Sequence, residues 1–232
     1  MVTDIETTLE KQIAFDVAWK GIDRKGREYC RGSYLILEAF KYDVPYFKEK
    51  LGHYFSDTYS HLVEPLPMQS IKQLYNSDVR LLQDEGHRVI FAAYNGGFDA
   101  RHLGKTCNYI LGDKFLDYPL ELLCLWNYWA LSCPMNYTAK ASPSGKYLST
   151  KAEDVFTFEF NQPDFIERHI AWSDVEIECD ILLKTLARKK KIPVTRNVKE
   201  ISARPPWIIA NERAGVPVDY QEKPAANSHG LI

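Results

Sequence analysis

Three short groups of residues in this 232-residue chain have the types and spacing that hydrolytic chemistry uses, and each is built on carboxylates. The first is Asp4-Ile5-Glu6-Thr7-Thr8. Extended backbone turns alternate side chains to one face, so Asp4 and Glu6 stand side by side. Neighbouring carboxylates repel, and burying them is costly unless a cation neutralises them. An Asp-x-Glu arises by chance roughly once in a chain of this size. Alone, the pair equally suits a solvated strand end.

The second group, Asn95-Gly96-Gly97-Phe98-Asp99, follows the apolar run Val89–Ala93. An acid at the carboxyl end of a buried strand, opening a helix, sits where α/β sheets place ligands. The bland reading of Asp99 is a cap for that helix. The third group is His169-Ile170-Ala171-Trp172-Ser173-Asp174. Asp174 falls in the first turn of a helix, where the dipole favours an acid for structural reasons alone. A lone histidine is more often a surface residue than a catalyst.

The elements that must position these groups are legible in outline. Met1–Ile5, Gln12–Trp19 and Tyr34–Phe40 read as strands, with Asp23–Glu28 as a hairpin turn. A helix is expected from Pro67 to Glu85, stopped by Gly86, then a buried strand within Arg88–Tyr94. Asp99–Leu111 reads as a helix closed by Gly112, and Leu120–Ser132 as another. Pro134–Ser149 is polar and reads as a loop. Thr150–Glu153 and Ser173–Glu176 have capping-box spacing, the second opening what reads as the last helix, ended by Pro193. Strands first, then strand–helix alternation, give an α/β layered domain. Residues 1–204 form the expected domain. Residues 205–232 form a C-terminal extension, docked at Trp207–Ala210 and a mobile tail from Tyr220 on.

Composition narrows the function. At 45% hydrophobic and 26% charged residues, the chain matches an ordinary soluble globular protein. A formal charge of -2 offers no global basic field, so contact with a polyanion has to be local. No run of about 18 apolar residues is present, and the acidic N-terminus does not resemble a signal peptide. Five cysteines with no CxxC pair fit reduced thiols in the cytoplasm rather than a zinc site.

Taken together, the three groups resemble the motifs of the DEDDh (DnaQ-like) 3′–5′ exonucleases, a family of the ribonuclease H-like superfamily. Its Asp-x-Glu-Thr-Thr motif is similar to Asp4–Thr8, and Asn-x-x-Phe-Asp to Asn95–Asp99 with Leu103 beyond. His-x-Ala-x-x-Asp is similar to His169, Ala171 and Asp174. Order and spacing agree across residues 4 to about 190. The sequence departs from the pattern twice. Only Met1–Thr3 precede Asp4, so the first strand is short or the natural start lies upstream. Leu9 stands where glycine is common.

The resemblance implies a ribonuclease H-like fold with a mixed central sheet flanked by helices, and two divalent cations, Mg²⁺ or Mn²⁺. By that likeness Asp4 bridges the ions. Glu6 and Asp174 complete the nucleophile side, and Asp99 supports the leaving-group side, partly through water. His169 takes a proton from the attacking water and ligates neither ion. Thr7, Thr8 and Asn95 meet the substrate. The implied partners are single-stranded nucleic acid with a free 3′ end and a DNA polymerase or replication protein. The implied location is the cytoplasm, the host's if the chain is phage-encoded. Single-stranded DNA is expected over RNA, although the same five residues serve both. A non-catalytic nucleic-acid-binding protein on this fold is the competing class. The basic run Arg188–Lys191, with Arg196, Lys199 and Arg204 beyond, reads first as a helix end complementing the dipole and only second as a phosphate contact.

Overall fold

A computed structural model describes residues 1–41, 54, 64–139, 146–197, 200 and 204–219. The strands are β1 (Val2–Thr7), β2 (Ala14–Ile22), β3 (Glu28–Ile36), β4 (Glu64–Leu66), β5 (Ile90–Ala93) and β6 (Glu121–Cys124). The helices are α1 (Met68–Asp84), α2 (Gly96–Leu111), α3 (Leu125–Ala130), α4 (Ala152–Phe160), α5 (Ala171–Arg188) and α6 (Pro206–Arg213). Their arrangement is α/β: one six-stranded mixed sheet in the order β4-β3-β2-β1-β5-β6, flanked by helices.

β1, β2 and β3 form the expected antiparallel meander. Its turn is held by Asp23, whose Oδ1 accepts from the Lys25 and Arg27 amides while Gly26 takes φ +80°. β5 runs parallel to β1, and β6 parallel to β5. The carboxyl ends of β1 and β5 therefore lie at the same edge.

Alternation along β1 assigns its two faces. Thr3 bonds Tyr75 of α1, and on β2 Trp19 bonds Asp78 of the same helix. The opposite face meets α5, where Lys20 pairs with Glu176 and Asp16 accepts from the Ala171 amide. Trp19, Phe15, Phe91, Ile71 and Val175 are among the fully buried side chains between these layers. Burying side chains of this size contributes about 1.5–3 kcal/mol each, offset by the entropy of ordering them. No helix among the described residues is long and apolar enough to cross a membrane.

Several expected boundaries move. Leu120–Ser132 is not one helix: Glu121–Cys124 pairs with β5 as a strand, and the helix begins only at Leu125. The third strand stops at Ile36 and gives way to a 3₁₀ turn over Leu37–Lys41. Neither capping box forms. Helix α4 begins at Ala152 and Thr150 Oγ1 accepts from Trp126 instead. Helix α5 begins at Ala171, which puts Ser173 inside its first turn. Nor is α5 the last helix, because α6 docks through Asn211, which exchanges bonds with both backbone groups of Leu148. Tyr220–Ile232 and Lys199 lie outside the described residues.

Candidate metal centre

The acids of the three motifs are delivered by three different pieces of backbone. Asp4 and Glu6 project from the α5 face of β1, and both are half-buried. Asp99 lies in the first turn of α2 and is 3% exposed. Its placement depends on Gly96, where a Cβ would fall 2.9 Å from the Leu123 carbonyl and 3.3 Å from Cys124 Cα. Only glycine lets α2 start this close to β6. The Asn95 carbonyl accepts from the Phe98 and Asp99 amides and closes the turn. Phe98 packs on His102 at 4.3 Å between ring centroids and leans against the core.

Asp174 lies in the first turn of α5 and is 6% exposed. What starts that helix is not a local cap. Asp16 on β2, cross-strand partner of Glu6, accepts from the Ala171 amide at 2.9 Å and from the Tyr54 hydroxyl at 2.6 Å. Just before it, His169 takes φ +53°, uncommon for a residue other than glycine. That residue is exposed, with Nδ1 3.8 Å from Glu167 Oε2.

The structure brings three of these groups within metal-ligand reach of one another, and Asp4 and Asp99 are not among them. Glu6, His169 and Asp174 each offer an atom within 4.8 Å of the other two. Burial, followed by the charges of Asp174, Asp99, Glu6 and Glu167, holds the Asp4 carboxyl well above the usual carboxylate range. Burial pushes Asp99 up to about 8, with Glu6 adding to the rise and the amides of Asp99 and Ile5 opposing it. Asp174 is raised by burial first and then by Glu167, Glu6, Glu178 and Asp16. Acids crowded this way in low dielectric repel one another strongly.

Among the motif acids, the buried oxygens Asp4 Oδ2 and Asp174 Oδ1 receive no hydrogen bond. An all-oxygen donor set with uncompensated buried charge is what a hard divalent cation requires. Asp4, Glu6, Asp99 and Asp174 therefore fit Mg²⁺ or Mn²⁺.

The remaining expected residues are placed differently. Thr7 ends β1, half-buried. Thr8 is 1% exposed and closes the turn into β2: its amide donates to the Ile13 carbonyl, its carbonyl accepts from Gln12, and its hydroxyl accepts from Ile13. Two of the basic residues, Arg188 and Arg204, are engaged in ion pairs. Arg188 makes two 2.6 Å bonds to Glu159, and Arg204 pairs with Glu212.

Glu167 and Glu178 join the centre without belonging to any motif. Glu178 carried a legible signal, an acid within the apolar stripe of α5 one turn beyond Asp174. Glu167 sits on an irregular segment, and no spacing pointed to it. No protein-family model, no curated protein and no solved structure matches the chain.

Proposed function

We propose that this chain is a metal-dependent 3′–5′ exonuclease, releasing 5′-mononucleotides from a free 3′ end, single-stranded DNA before RNA. The observation that carries the reading is the meeting of Glu6, His169 and Asp174 within 4.8 Å of one another, with Asp99 close enough to help raise the Asp4 carboxyl beside them. The ribonuclease H-like fold is the finer form of the α/β arrangement. Its support is the antiparallel meander followed by strand–helix units, with the acids at the carboxyl ends of β1 and β5.

Asp4, Glu6, Asp99 and Asp174 would hold the divalent ions, which when bound neutralise the carboxylates and polarise phosphate and water. His169 takes the proton from the attacking water. An imidazole suits base work at neutral pH, and exposure lets this one pass the proton to solvent. Glu167 Oε2, 3.8 Å from Nδ1, lies close enough to favour the imidazolium that forms. Thr7, Thr8 and Asn95 would meet the terminal nucleotide, Thr8 through its side of the turn because both of its backbone groups are engaged there. A polymerase or replication partner would deliver the 3′ end to the exposed rim at His169.

Two variants test the assignment together. Asp99→Ala is expected to abolish divalent-dependent turnover, and turnover equal to wild type would refute the site. His169→Ala is expected to lower turnover by about 10²–10⁴-fold while Mn²⁺ affinity stays at the wild-type value. Lost Mn²⁺ affinity in that variant would make the imidazole a ligand, which its proximity to Glu6 and Asp174 permits.

A further inference from the structure

We propose that Glu178 is an additional ligand of the divalent centre, on the side formed by Asp4 and Asp99. The inference deepens the metal-dependent reading above and rests on it.

Glu178 lies four residues beyond Asp174 on α5, the spacing that stacks side chains on one helical face. That face is turned to the sheet: Val175, Ile181 and Leu182 are buried around it, and Glu178 itself is 3% exposed. Its Oε2 is covered and receives no hydrogen bond. After burial, the charges acting on it most strongly are those of Asp4 and Asp99, while the Tyr94 amide donates to its carboxylate and Glu167 adds to the repulsion.

A carboxylate in such a place is costly. The adjoining acids make matters worse, since Asp4 Oδ2 is also covered and unbonded. A divalent cation among Asp4, Asp99 and Glu178 resolves all of this at once, because it replaces mutual repulsion by shared coordination. The three motifs supply only Asp99 as a separate support for that side, and partly through water. Glu178 adds a direct oxygen donor from a different helix.

The test is calorimetric titration of Mn²⁺ into wild type, Asp4→Asn and Glu178→Gln, with thermal unfolding in EDTA and in Mn²⁺. Glutamine keeps the shape and removes the charge. Glu178→Gln should weaken at least one Mn²⁺ site about tenfold or more and shrink the rise in Tm that Mn²⁺ gives, on the scale that loss of a metal-site group produces. Wild-type affinity at every site in Glu178→Gln would overturn the proposal. If that variant does not fold, Glu178→Met, matched to the apolar neighbours, is read the same way. Asp4→Asn separates the two levels. Binding lost in Asp4→Asn but kept in Glu178→Gln overturns Glu178 alone. No Mn²⁺ binding by wild type overturns the metal-dependent reading together with it.

Discussion

At the residue scale, the centre is a set of acids held against their own chemistry. An unfolded aspartate titrates at about 3.9; in the fold, Asp99 is pushed up to about 8. Between those values the folded chain binds the extra proton, so unfolding is favoured progressively as the pH rises. Asp99 therefore destabilises the metal-free protein increasingly from about pH 4 to about pH 8, and no further above that. In EDTA, Asp99→Asn is expected to be more stable than wild type at pH 8, with the gap narrowing as the pH falls toward 5. Denaturant unfolding of both proteins across that range measures it. Taking the difference cancels groups such as His102, whose pKa burial lowers. A gap that is absent, or that widens toward acid, would mean Asp99 is solvated and the centre is not as crowded as drawn.

At the element scale, backbone geometry decides where the acids point. Gly96 is the clearest case, because a methyl group there meets backbone of β6 rather than a yielding side chain. Gly96→Ala should cost about 1–3 kcal/mol through overpacking and shift α2 with Asp99 on it. The expected readout is a lower denaturant midpoint with an unchanged slope, accompanied by weaker Mn²⁺ binding. Unaltered values for both would detach the Asp99 position from this contact. The same scale explains what the sequence did and did not disclose. The meander, α1 with Gly86 beyond it, and α2 with Gly112 beyond it follow from local pattern, because turn chemistry and periodicity coincide there. Leu120–Ser132 misleads because a short apolar run suits a strand as well as a helix, and only pairing with β5 decides it. Helix α5 starts two residues before Ser173 because Asp16, far away in sequence, supplies the acceptor that a local cap would have given. The motif acids are legible by type and spacing. Glu167 and Glu178 are defined by what the fold packs around them.

At the scale of the whole molecule, charge is divided rather than accumulated. The net value of -2 conceals a concentrated acidic centre, while cations are paired elsewhere, as Lys72 is with Asp113 and Asp117 and Arg188 is with Glu159. An open cleft lined by Arg24, Lys25 and Lys190 lies near the far end of α5, roughly 20 Å along the helix from Asp174. Divalent cations, more than a broad basic surface, are therefore what would draw a phosphodiester to the acids. The direct test of that account uses 5′-labelled single-stranded DNA and the matching RNA, incubated with Mg²⁺, Mn²⁺ or EDTA, with Asp4→Ala as the control. The account predicts a divalent-dependent ladder shortening from the 3′ end, stronger on DNA and absent in EDTA and in Asp4→Ala. Intact substrates in every condition with folded wild-type protein, or a ladder that survives Asp4→Ala, would contradict it.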